Sequence, residues 1–292
     1  MLPLPCQFRC TQERHSTCIR FLIRQSDGSY SFADETNRHV TNPIVMYRTL
    51  RMLAAIAVLG LCGTLPASSQ NPVVVELFTS EGCSSCPPAD AILVDLSRQS
   101  AQSGRDLILL GEHVDYWNYI GWTDRFSSAQ FSQRQNDYAR SFHLASVYTP
   151  QMVIDGKVQF VGNEASEVHR KIDEATKEPK PAQVLLQWEK NGRLHVTVQS
   201  QAASRAKVLL AVTEDGLSTA VGGGENGGRT LRHAAVVRQL RELGSTDKNS
   251  FDTNVDVSIR PNWNPAQLKV AVLVQDSGRG RILGAAQIPY RQ

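Results

Sequence analysis

Val73-Val74-Val75-Glu76-Leu77-Phe78-Thr79-Ser80-Glu81-Gly82-Cys83-Ser84-Ser85-Cys86-Pro87-Pro88-Ala89-Asp90 holds a strand, a turn and the start of a helix. The run from Val73 to Phe78 is apolar and rich in β-branched residues, and it is closed by turn formers, which reads as a buried parallel-type strand. Pro87 and Pro88 are tolerated only in the first turn of a helix, and Ile92, Leu93 and Leu96 continue at helical spacing. Cys83 and Cys86 therefore sit at a strand-to-helix junction. Downstream, residues 107–110 read as a second buried strand and 124–144 as a helical insertion. Residues 151–154 and 158–161 read as a hairpin turning at Asp155-Gly156. A last helix is expected from an Asn163 cap to about Ala175.

The order is that of an α/β layer domain over 68–176. A charged, Pro-rich linker follows at 177–182. Beyond it come short apolar runs at 184–188, 194–198, 208–212, 255–259, 268–274 and 282–288, several of them alternating, so an all-β sandwich is expected over 183–292. The stretch 231–243 fits strand and helix equally well.

The 292 residues are 41% hydrophobic and 20% charged, with 20 Gly and 13 Pro, a composition that excludes disordered, collagen-like and coiled-coil classes. The formal net charge is +3, but residues 68–292 carry 24 basic and 24 acidic side chains. That balance gives no electrostatic case for nucleic acid or an anionic membrane surface. From Met46 the chain reads as a secretory signal: Arg48 and Arg51, then an apolar run over 52–65 and a small-residue exit with cleavage expected near Ala67. The product is expected to be periplasmic or secreted, with no membrane attachment after cleavage. Residues 1–45 in front of the signal are read as an upstream extension, with Met46 as the initiator.

Of six cysteines, Cys6, Cys10 and Cys18 fall in that extension and Cys62 in the signal. The mature chain keeps Cys83 and Cys86. One Cys-x-x-Cys pair is too few ligands for a structural zinc site and too few bridges for a disulfide scaffold, so redox chemistry leads. A thiol at a helix N-terminus meets free N–H groups and the positive dipole end, which favour thiolate. Cys83 is then the nucleophile, which must be open to a visiting thiol, and Cys86 the resolving thiol. Glu81 opposes the dipole, and Pro87 argues that Cys86 is a cap rather than an interior helical residue.

Strand, Cys-x-x-Cys and a Thr149-Pro150 ahead of a hairpin resemble the thioredoxin fold. More closely, the quoted stretch, with His113-Val114-Asp115-Tyr116-Trp117, Gly121-Trp122-Thr123-Asp124-Arg125-Phe126 and Tyr148 to Gly156, resembles an exported bacterial family catalogued as a domain of unknown function, DUF1223. The resemblance spans roughly 72–292. It implies a thioredoxin-like fold and no settled reaction. By the same likeness Pro150 is the proline opposite the disulfide, with Thr149 beside it. Glu76 is either a buried carboxylate that accepts a proton from Cys86 or a strand-edge residue facing solvent. His113, Trp117 and Trp122 leave the second strand at the cysteine end and can form a docking platform.

The reading is thus a thiol–disulfide oxidoreductase-like protein with catalytic Cys83, Cys86, Pro150 and Glu76, and with Thr149, His113, Trp117 and Trp122 binding substrate. Its partners are protein thiols or disulfides, including a redox partner, and it needs no cofactor or metal. One alternative is copper binding through Cys83, Cys86 and His113. Another is a binding module in which the cysteines are a staple. The stretch 222–228, rich in glycine, reads as a flexible loop.

Overall fold

The computed structural model describes residues 22–24, 30–32, 72–104, 106–202, 204–246 and 249–291. The expected signal segment, 46–67, lies outside them. Within the first 45 residues, β1 (Leu22–Arg24) pairs antiparallel with β2 (Tyr30–Phe32).

The main body begins with β3 (Val73–Thr79), α1 (Pro87–Ser103), β4 (Leu107–His113), α2 (Ala129–Ser141), β5 (Gln151–Ile154), β6 (Val158–Val161) and α3 (Ala165–Ala175). It continues with β7 (Ala182–Trp188), β8 (Leu194–Ser200), β9 (Ala206–Glu214), β10 (Leu217–Ala220), β11 (Thr230–His233), β12 (Val236–Ser245), β13 (Ser250–Val255), β14 (Leu268–Asp276) and β15 (Ile282–Pro289). β3 runs parallel to β4 and antiparallel to β5, as its continuous apolar run and the Asp155-Gly156 hairpin require. Its seven residues are all buried. Val73, Val75 and Leu77 face α1 and α3, whereas Val74 faces the core that holds Phe131 of α2. Glu164, not Asn163, is the N-cap of α3. The ambiguous stretch near 231–243 forms strands β11 and β12.

The expected division into a thioredoxin-like α/β domain and a following all-β sandwich is overturned. One eight-stranded mixed sheet, in the order β15-β14-β9-β12-β4-β3-β5-β6, takes strands from both halves of the chain. The join is the parallel contact of β12 with β4, where Val236 lies opposite Gly111 and the Gly111 N–H donates to the Ala235 carbonyl at 2.8 Å. The physical reason lies in β9 and β14, which are buried almost throughout on both faces. Strands apolar on both sides belong in the middle of a covered sheet. One face is covered by the three-stranded sheet β13-β8-β7, through Leu194, Val196 and Val198 against Val208, Leu210, Val270 and Val272. On the other face, Leu209, Ala211, Ala271 and Leu273 share a core with Val74, Ile108 and Leu110.

Strands of one sheet meet across a core only if the sheet curls. Asp155 closes the curl. Its N–H donates to the Val74 carbonyl, its Oδ1 accepts the Val74 N–H at 2.8 Å, and its carbonyl accepts the Ile282 N–H of β15 at 2.8 Å. Lys180, in the Pro-rich segment leading to β7, pairs with the same carboxylate at 2.5 Å. Gly156 packs so closely here that a Cβ would lie 2.1 Å from the Gly280 carbonyl oxygen.

Candidate functional site

Cys83 and Cys86 form a disulfide with Cα atoms 5.4 Å apart. Cys86 is the N-cap of α1, with Pro87 and Pro88 as the first helical residues, so the expectation of a capping cysteine holds in position. Its backbone is nonetheless helical (φ −79°, ψ −36°), and its carbonyl accepts from the N–H groups of Ala89 and Asp90. Ser85 Oγ lies 3.4 Å from Cys83 Sγ and also 3.4 Å from the Thr149 carbonyl, to which it donates. The Thr149–Pro150 peptide is cis.

Ser84 and Ser85 are exposed, but both cysteines have 0% accessible surface. The expectation of an open Cys83 is therefore overturned in this conformation. Two segments pack against the cysteine turn. Trp117 packs beside Gly82 and donates its indole N–H to Thr149 Oγ1 at 2.8 Å. The glycine-rich stretch, expected to be a loose loop, instead docks on the cysteine turn. Asn226, fully buried, donates through Nδ2 to the carbonyls of Glu81 and Cys83, both at 2.9 Å, and Glu225 accepts the Ser84 N–H at 3.0 Å. Gly223 is needed for backbone approach, since a Cβ there would stand 2.5 Å from the Gly121 carbonyl oxygen.

Beneath the disulfide turn lie five ionisable side chains, each at most 5% exposed: Glu81, Asp90, His113, Asp124 and His233. They arrive from the end of β3, the first turn of α1, the end of β4, the following loop and β11. His113 Nδ1 meets Asp124 Oδ2 at 2.7 Å, and the same oxygen accepts the Glu81 N–H. Trp122 donates to Glu81 Oε2 at 2.8 Å, and Thr79 donates to Asp90 Oδ2 at 3.2 Å. His233 Nε2 stands 3.3 Å from Glu81 Oε1 at ion-pair distance, and the two imidazoles meet edge to face at 4.9 Å.

Burial opposes every charge here, so the partners decide each protonation state. For His113, burial favours the neutral ring, but Asp124, followed by Asp90 and Glu81, outweighs it and raises the pKa. For Asp124, burial is overcome by His113 and by the Glu81 and Phe126 N–H groups, so its carboxyl is held low. Glu81 is likewise held low by His233 and Trp122 against burial. Asp90 is the exception: burial raises it in spite of His233, His113 and Thr79. Asp90 also lines a cavity of about 320 Å³ between α1 and β11, bordered by Arg98, Arg229 and Arg232.

The residues expected from sequence divide accordingly. Cys83, Cys86, Thr149, Pro150 and Trp117 come together, and Trp122 joins them through Glu81. His113 lies inside the ionisable cluster rather than on a docking surface. Glu76 is buried but faces α2, on the side of β3 opposite α1. Its carboxylate binds Arg134 at 2.6 Å and the Tyr138 hydroxyl at 2.5 Å, so it does not serve Cys86. The copper set does not fit this state: both sulfurs are bonded to each other and His113 Nδ1 is taken by Asp124. Among the described residues no group of three or more His, Cys, Asp or Glu side chains is arranged to hold a metal. Sequence reasoning missed Asp90, Asp124, His233, Glu225 and Asn226 as parts of the site. The available signal was polar residues at the mouths of apolar strands, as in Leu110-Gly111-Glu112-His113.

No curated protein matches the chain. Among solved structures, the crystal structure of protein AGR_C_4864 from Agrobacterium tumefaciens is similar, with 28% identity and a TM-score of 0.62, covering 77% of this chain and 97% of that one. Residues 74–275, from the second residue of β3 nearly to the end of β14, match the family described as "Protein of unknown function (DUF1223)". That span holds the disulfide, its cover and the whole ionisable cluster, and the chain belongs to the DUF1223 family.

Proposed function

We propose that the protein is an exported thiol–disulfide exchange protein whose Cys83–Cys86 pair is reached when the 222–228 segment and Trp117 move aside. The observation that carries this reading is the set of five buried ionisable groups packed under the disulfide turn. Burying charges is costly, and a bond serving only as a staple has no use for them. Exchange does. A thiolate from an external dithiol attacks Cys83 Sγ, the Cys83–Cys86 bond breaks, and Cys86 departs with the electron pair. It then takes a proton, a role we assign to Asp90, one helical turn further along α1, whose carboxyl pKa is raised by burial. The partner's second thiolate resolves the mixed disulfide and leaves Cys83 as a thiol, so two electrons and two protons pass to the protein and the partner becomes a disulfide. The basic, apolar and small-residue order of 46–67 supports a periplasmic or secreted location.

A second reading, a structural staple, is favoured by the zero exposure of both cysteines. Titration of the native protein with a dithiothreitol redox buffer separates the two. Exchange predicts reduction without unfolding, at a defined potential, and alkylation of Cys83 before Cys86. A Cys86→Ser variant should then trap mixed disulfides through Cys83. If reduction proceeds only in denaturant, the bond is a staple.

A further inference from the structure

We propose that the protein binds a small organic polyanion, bearing two or more phosphate or carboxylate groups, in a cavity remote from the disulfide. The cavity, about 690 Å³, opens where the C-terminal half of α2, the β5–β6 turn, the start of β9 and the β14–β15 turn converge. That is the usual size for a small-molecule site. Six cations line it: Arg134, Arg140, Lys157, Lys207, Arg279 and Arg281. Asp137 and Asp276 are the carboxylates in its wall. With the region beyond residue 67 neutral overall, this is a local excess of positive charge.

The partners of these cations show which are available to a ligand. Arg134 is held at the floor by Glu76 and Glu112 and stays there. Arg140 pairs with Asp137, Lys157 with Glu178 and Lys207 with Glu242, but these pairs are surface-exposed, with side-chain exposures from 33% to 67%. Such pairs are worth about 0–1 kcal/mol and exchange readily for a better-placed oxyanion. At the β14–β15 turn, the Asp276 oxygens already accept from the Ser204 hydroxyl and from the N–H groups of Gly278 and Arg279. Arg279 is exposed with no side-chain partner among the described residues. Arg281 lies close enough to Asp276 to help hold that carboxyl low, but its Nε–H is buried with no acceptor. A buried guanidinium N–H without an acceptor is costly, and the planar fork of arginine matches oxyanions two bonds at a time. One anionic group on Arg279 and Arg281, with a second toward Arg140 and Lys157, satisfies what the protein leaves open.

Calorimetric titration of the intact protein with inorganic pyrophosphate and with citrate tests this. Saturable one-to-one binding is expected for at least one probe. It should weaken as salt rises from about 20 to about 200 mM and fall about tenfold in Arg279→Gln/Arg281→Gln. Preference for pyrophosphate identifies phosphate as the ligand group, and preference for citrate identifies carboxylate. Arg170→Gln on α3 removes the same charge elsewhere and should leave affinity unchanged. If the double variant folds poorly, exposed Arg279→Gln alone should still weaken binding. No saturation with either probe below about 10 mM, or an equal loss in Arg170→Gln, overturns the proposal.

Discussion

On the two faces of the β3–β4 pair lie two buried assemblies of charge built from different chemistry. On the α2 face, Glu76 and Glu112 share Arg134, with the Tyr138 hydroxyl bonded to Glu76. Burial, helped by repulsion from Glu76, pushes Glu112 well above the ordinary carboxylate range against the pull of Arg134. The guanidinium is permanently charged, so this assembly is a fixed peg holding α2 to the sheet. On the α1 face, at the carboxyl ends of the same strands, the second assembly has no Arg or Lys among its five ionisable members. Its only cations are histidines, whose charge follows pH. Both assemblies are sealed, but only in the second can the cations themselves lose their charge, and it lies beside the disulfide. Burial alone therefore does not mark function; the kind of cation does.

The comparison is most easily broken at the peg. Arg134→Met leaves Glu76 and Glu112 buried without their cation, and a stability loss of about 3–5 kcal/mol is expected in urea unfolding. The Cys83–Cys86 reduction potential should stay unchanged, and a shift in it would mean that the two assemblies are coupled. Next in size is the disulfide. It closes a very short loop, so Cys83→Ser/Cys86→Ser should lose only about 2 kcal/mol by chain entropy. A much larger loss would favour the staple.

The pH series gives a smaller effect with a definite sign. His113 titrates higher in the folded state, so its stabilisation is fully present below the unfolded histidine value and is lost as pH rises through the folded value. Asp124, held low, contributes stability above its unfolded value that is lost as pH falls through the folded one. Asp124→Asn should therefore destabilise most near pH 5 to 6, by an amount on the order of 1 kcal/mol that shrinks on the alkaline side. Asp90 has the opposite sign: its raised folded pKa is a penalty that grows as pH rises above the unfolded carboxylate value. Asp90→Asn should recover that penalty at neutral pH while slowing disulfide reduction. Unfolding curves and stopped-flow reduction at matched pH check both arms. The smallest effect is at Glu225, an exposed carboxylate held low by the Ser84 hydrogen bonds. Glu225→Gln removes a charge that repels an incoming thiolate, and dithiothreitol should reduce the protein a few-fold faster. An unchanged rate would mean that the Glu225 charge does not govern access.

Local chemistry made part of this legible. The β3–turn–α1 junction, the Asp155-Gly156 hairpin and the family likeness were all carried by contiguous residues with short-range rules. The fold class was not, because it depends on one long-range pairing, Val236 with Gly111, between strands more than a hundred residues apart. Runs such as 208–212 and 268–274 held the clue, since an apolar run without alternation belongs to a doubly covered strand. For Glu76 the buried alternative holds, but its partner, Arg134, sits 58 residues away on a helix that the pattern placed only loosely. The glycines of 222–228 suggested freedom, whereas Gly223 serves a backbone contact that no larger residue could make.

Asp155 carries a consequence for how the protein is made. One residue at the tip of the β5–β6 hairpin receives both the first strand of the sheet and the last, so a chain emerging from a ribosome cannot close its curl until residue 282 is free. Until then Val74, Ile108 and Leu110 lack the neighbours that cover them. The half-synthesised molecule presents a sticky trough, and holding it open or shielding it falls to whatever meets the nascent chain.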